Sequence, residues 1–94
     1  MLKWPFDQPQ NCAVVTLRSI VFDGEPILYV SHDIEDDGWQ FLDGKPFDMA
    51  NAALVGLGTI VRHDSSVLEL ADLPPGWCAT RTSKSAAWQR QPES

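Results

Sequence analysis

Apolar and polar residues alternate at short range through the first half of the chain, and the period lengthens in the second. Cys12-Ala13-Val14-Val15-Thr16-Leu17 is a β-branched run of strand length. Ser19-Ile20-Val21-Phe22 reads as a second strand, or as the first continued past a bend at Arg18. Asp23-Gly24-Glu25-Pro26 is a turn signal, because glycine permits positive φ and proline cannot donate to a ladder. Ile27-Leu28-Tyr29-Val30 then reads as a buried strand, expected to form a hairpin with residues 20–22. After a polar loop, Trp39-Gln40-Phe41-Leu42 alternates so that Trp39 and Phe41 share one face. Asp43-Gly44-Lys45-Pro46 closes that strand. Short loops with no crossover helix predict a small antiparallel meander over this half.

In the second half Asp48 is placed to cap a short turn, Leu54-Val55 is extended, and Leu57, Ile60 and Val61 have helical spacing. Ser66-Val67-Leu68-Glu69 matches a capping box, predicting one or two helical turns that bury Val67, Leu70 and Leu73 before Pro74-Pro75-Gly76 ends them. Residues 77–82 and 87–89 read as two final strands. The expected fold class is therefore α+β: a small, mainly antiparallel sheet with one or two short helices in the second half. It forms a single domain over residues 1–94, with an irregular arm at 1–11 anchored by Trp4 and Phe6 and a frayed tail at 91–94.

Composition narrows the function. A hydrophobic fraction of 44%, with four Trp, four Phe and one Tyr, suffices to fill the core of a domain this small. The net charge of −6 argues against general nucleic-acid binding, which needs clustered Lys and Arg against phosphate. That charge is uneven: residues 1–47 hold eight acids against three bases, residues 48–94 five against four. An acidic front and a mildly basic tail suit self-association or a basic protein partner. The longest apolar stretch, Ala52 to Val61, is ten residues broken by Gly56, Gly58 and Thr59, well short of the ~20 that a membrane span needs. Met1-Leu2-Lys3-Trp4-Pro5-Phe6-Asp7 does not resemble a secretory leader, so a cytoplasmic location with reduced Cys12 and Cys78 is expected.

Candidate chemistry is sparse. His32-Asp33 and His63-Asp64 combine imidazole with carboxylate, yet a His-Asp metal hydrolase uses more histidines, and the spacing of Asp33, Asp36 and Asp37 does not fit a calcium loop. Cys12, His32, His63 and Cys78 stand 20, 31 and 15 residues apart, with no paired knuckle for zinc. Gly56-Leu57-Gly58 starts like a dinucleotide fingerprint but lacks the third glycine and a βαβ unit, so close backbone packing explains it better. No metal and no cofactor are expected. Trp39 and Trp77 are expected in the core, whereas Trp4 and Trp88, nearer the termini, are candidates for partner anchors.

The segment DDGWQFLDG, residues 36–44, and the later LGTIVRHDSSVLELADLPPGWCATR, residues 57–81, resemble a small bacterial family. First catalogued as a domain of unknown function, it is described as predicted immunity proteins of polymorphic toxin systems. The matching features are an acid before Gly38-Trp39, then Phe41 and Gly44, then Leu57, Ile60, Asp64, Ser66, Leu70, Pro74, Gly76, Ala79 and Arg81 in order. Ser65 stands where members often carry proline. The resemblance implies a non-enzymatic module that neutralises a toxin by direct contact, and it brings no catalytic residues. A toxin nuclease presents a basic cleft, which carboxylates can cover in place of phosphates. Asp33, Glu35, Asp36 and Asp37, with Trp39 as aromatic neighbour, are the expected partner-binding residues. Two other classes stay open at this point. One is a small ligand-binding or hydrolytic domain with a pocket near His32, His63 and Cys78; the other is an accessory domain that self-associates, as a homodimer, through Trp4 and Trp88.

Overall fold

A computed structural model describes residues 4–93. Six strands form one mixed, mostly antiparallel sheet: β1 (Ala13–Leu17), β2 (Tyr29–His32), β3 (Trp39–Leu42), β4 (Ala52–Gly56), β5 (Trp77–Thr80) and β6 (Gln89–Pro92), in the order β4-β1-β3-β2-β5-β6. Helix α1 (Arg18–Val21) follows β1; helix α2 (Leu57–His63) and a 3₁₀ helix, Ser65–Leu70, follow β4. The protein is an α+β domain, and the expected fold class holds.

Period-two burial fixes which face of the sheet is inside. Val14, Val30, Trp39, Phe41 and Ala79 project from one face into a core completed by Leu57, Ile60, Val67, Leu70 and Leu73. The opposite face carries Val15, Tyr29, Ser31, Gln40, Leu42, Leu54 and Cys78, as the register requires: Val15 lies beside Leu54 and Gln40, and Ser31 lies between Gln40 and Cys78. The helical segments therefore cover one face only.

Several local expectations change. Residues 19–22 are not a strand but lie in and just after α1, with Ile20 fully buried and Phe22 77% exposed. Two residues apart on a strand they would share a face; a helix turns them about 200° apart and buries only one. The hairpin between residues 20–22 and 27–30 is accordingly absent, and the second strand lies two residues later than expected. Nor is the first half a meander: β3 inserts between β1 and β2 and runs parallel to β1. The cap of the 3₁₀ helix is Asp64, whose carboxylate accepts from the Ser66 amide, rather than Ser66 itself. The expected frayed tail is ordered as far as the description extends: Gln91 and Pro92 belong to β6 and the Glu93 amide donates to the Gly76 carbonyl, while Ser94 lies outside the described residues.

From Trp4 onward the arm is irregular, with Phe6 buried and its ring 5.5 Å from that of Trp4. It crosses the start of α2, where the Gly58 amide donates to the Gln10 carbonyl at 2.8 Å and a Cβ on Gly58 would come within 3.2 Å of the Gln10 side chain. Close approach, not phosphate binding, explains that glycine. Trp4 and Trp88 are both half-buried: the Trp4 indole donates to the Gln8 carbonyl, and Trp88 lies against the Arg81 guanidinium, 4.0 Å from the ring centroid.

Candidate functional site: a clamped acidic loop

The loop of residues 33–38 joins β2 to β3 and is closed by the Asp33 amide donating to the Gly38 carbonyl at 2.8 Å. Inside it the Asp36 carboxylate accepts from the Gly38 amide at 2.9 Å, an Asx turn of the kind that aspartate favours. Asp37 has a φ of 60°, a left-handed conformation that costs a non-glycine residue about 1–2 kcal/mol and needs support from outside. Its carboxylate supplies that support. One oxygen lies 2.6 Å from His32 Nε2 and the other accepts from Gln8 Nε2 at 2.9 Å. His32 Nδ1 lies 2.7 Å from the Leu73 carbonyl. The imidazole also stacks on Trp39, 4.1 Å between centroids and 13° between planes. Gln8 completes the clamp by accepting from the Trp39 indole at 3.1 Å, so that arm, loop and core meet on Asp37.

This arrangement divides the five expected partner-binding residues. Trp39 is 3% exposed and packs on His32, Phe6 and Phe41, so it braces the loop from below and offers almost no surface of its own. Asp37 spends its hydrogen bonds internally. Asp33, Glu35 and Asp36 line a shallow cleft of about 360 Å³ together with Ile34, Gly76 and Glu93. Sequence reasoning missed Ile34, Gly76 and Glu93. Ile34 is 74% exposed and packs over Gly76, whose φ of 85° admits no ordinary side chain. Gly76 binds the region into one unit, its amide donating to the His32 carbonyl and its carbonyl accepting from the Glu93 amide. The alternation of acids around one isoleucine, Asp33-Ile34-Glu35-Asp36, is the signal that was available for Ile34; nothing local marks Glu93.

The carboxylates repel one another. Burial pushes the Asp33 carboxyl above its ordinary value, and the charges of Asp36 and Glu93 push it further. Burial, followed by the hydrogen bond it donates to Glu93, raises the Tyr29 phenol well above its usual range. For a carboxyl whose folded pKa is raised, the native state binds more protons between the unfolded and folded values, so stability falls as pH rises through that window. At neutral pH the folded protein thus keeps Asp33 charged against its burial and its acidic neighbours, a cost that a cation would lower. Replacing Asp33 with Asn keeps an acceptor for Gln40 and removes the charge. Asp33→Asn is expected to unfold at slightly higher urea than the parent at pH 7; a lower midpoint would mean that the carboxylate is needed structurally.

His32, His63 and Cys78 do not line one pocket. Within β2 and β5 the register sets Ser31 opposite Cys78 and His32 opposite Trp77, which puts Cys78 on the open face beside Tyr29 and His32 on the core face. Among the described residues no group of three or more His, Cys, Asp or Glu is placed to hold a metal ion. No described helix is long and apolar enough to cross a membrane. No family model, curated protein or solved structure matches the chain.

Proposed function

We propose that this domain is a non-enzymatic protein-binding module that takes a basic surface of a protein partner on the loop of residues 33–36, and that it serves as a cytoplasmic immunity protein against a toxin domain. The observation that carries the reading is the exposed Ile34 set among Asp33, Glu35, Asp36 and Glu93 on a backbone clamped through Asp37. Carboxylates around one apolar side chain give both parts of a specific contact: charges that steer a basic partner from a distance, and an anchor that is desolvated on arrival. The clamp lowers the ordering cost of binding, because the loop is already held in one conformation. The finer assignment to toxin immunity rests on the resemblance over residues 36–44 and 57–81, and the unpaired Cys12 and Cys78 are in keeping with action in the cytoplasm.

The experiment is affinity capture from native cytosol with the parent protein and with the double variant Glu35→Lys, Asp36→Lys. Both positions are exposed, so the variant is expected to fold. The parent should retain a basic protein that elutes with salt and that the variant does not retain. The same proteins held equally by both would refute the loop as the contact.

A further inference from the structure

The two edges of the sheet are finished differently. On β6, Pro92 removes a donor, and Arg90 adds a charge that reaches the Asp72 carboxylate and the Glu69 carbonyl; both are devices that discourage strand addition. On the other edge β4 reads Ala52-Ala53-Leu54-Val55-Gly56, with neither charge nor proline. The pairing of β4 with β1 sets which of its backbone groups are free. The Leu57 amide donates to Cys12, which makes residues 57 and 12 a hydrogen-bonded pair, and alternation then turns Ala53 and Val55 toward β1. Leu54 and Gly56 therefore present their amides and carbonyls outward.

Beside that edge, on the open face of the sheet, is an apolar groove of about 420 Å³. Val15, Leu42, Phe47, Met49, Ala52 and Leu54 line it with Gln40 and Ala53, and none of these is ionisable. Leu54 is 73% exposed, and Phe47 and Met49 are also exposed.

We propose that β4 is a self-association edge, at which two copies of this chain pair antiparallel across a two-fold axis at Leu54 to form one twelve-stranded sheet. Charge selects this occupant. A chain of net charge −6 resists its own copy almost everywhere, yet the lining of this groove holds no ionisable side chain, and the neighbouring Asp48 is turned to the Ala50 amide of its own segment. A basic partner, by contrast, finds no carboxylate in the lining and has the 33–36 loop instead. Symmetry supports the same choice. An antiparallel pair about Leu54 satisfies the outward groups of both copies at once and joins their Leu54, Phe47 and Met49 side chains into one apolar strip. Because β6 is sealed, addition stops at two copies instead of continuing as a filament.

The test is sedimentation of the full chain over a wide concentration range, using the parent, Leu54→Lys, Leu54→Glu and an equimolar mixture of the two variants. Position 54 is exposed, and circular dichroism checks that each variant folds. The parent should sediment as a dimer and each variant alone as a monomer, since like charges then face each other across the axis. The mixture should reassociate, because Lys faces Glu. A parent that remains monomeric, a single variant that dimerises like the parent, a mixture that stays apart, or a parent that grows beyond the dimer would each overturn the proposal. None of these outcomes bears on the acidic loop, whose partner is read by capture.

Discussion

Arg81→Ala is expected to lower unfolding free energy by about 3–5 kcal/mol, the cost of removing one member of a buried ion pair, from a total that for a domain of this kind is roughly 5–15 kcal/mol. Arg81 is 7% exposed and uses its whole fork: Nη2 donates to Asp64 at 2.6 Å, Nη1 to the Ser66 hydroxyl and the Lys84 carbonyl, and Nε to the Ile27 carbonyl. One side chain thus joins the segment before β2, the cap of the 3₁₀ helix and the turn after β5, while its guanidinium lies against Trp88. Truncation strands the Asp64 carboxylate in the interior with only Ser66 to solvate it. Lysine should recover little, since an ammonium cannot make the planar, divergent set of bonds.

The pH dependence follows with a definite sign. Burial pushes the Asp64 carboxyl up, but the hydrogen bonds from Ser66 and the Arg81 guanidinium outweigh it, and its pKa lies below the ordinary carboxylate value of 3.8. With the folded pKa lowered, the unfolded chain binds more protons in that window, so Asp64 contributes fully above about pH 4 and its contribution is lost as pH falls through the folded value. Urea unfolding of the parent, Arg81→Ala, Asp64→Ala and the double variant, followed from neutral to acid pH, measures this. The double variant should be less damaged than the sum of the single losses, and a loss below about 1 kcal/mol for Arg81→Ala would contradict the account.

The second large effect is kinetic. Glu35→Lys with Asp36→Lys takes residues 33–37 from four negative charges to a net of zero. Electrostatic steering changes association rates by roughly 10- to 1,000-fold at low ionic strength. The captured partner should therefore associate with the variant at least about tenfold more slowly in dilute salt, and the gap should narrow as salt screens the charges. Dissociation should change less than association, because Ile34 and the clamp through Asp37 are retained and only the Asx turn at Asp36 is lost. An association rate equal to the parent's, with the same salt dependence, would remove the loop from the encounter.

How far the sequence reaches depends on the range of the interaction. Alternation alone puts Trp39 and Phe41 on one face, which the structure makes the core face, and helical spacing groups Val67, Leu70 and Leu73, because each pattern is local. The α1 turn was misread because Ile20 and Val21 favour strands in isolation, whereas the packing that buries Ile20 and leaves Phe22 outside is tertiary. The insertion of β3 between β1 and β2 leaves no local trace, since the Val15–Gln40 pairing spans the whole of β2 and its loops.

The site divides in the same way. Four acids in five residues are visible to composition, but the different duties of Asp37 and Asp36 are set by His32, Gln8 and Gly38 in space. His32 stands next to Asp33 in sequence yet reaches Asp37, because the loop folds back over the imidazole. Arg81 looked like one charge of a basic tail, and only the arrival of Asp64 and Ser66 beside it reveals a structural pair.

Backbone hydrogen exchange of the parent, alone and bound to the captured partner, tests the central claim most directly. New protection is expected in residues 33–36, at Gly76 and at Glu93, with β4 and its groove unchanged by the partner. Protection confined to Trp4, Trp88 or the β4 edge, with the acidic loop exchanging as freely as before, would contradict it.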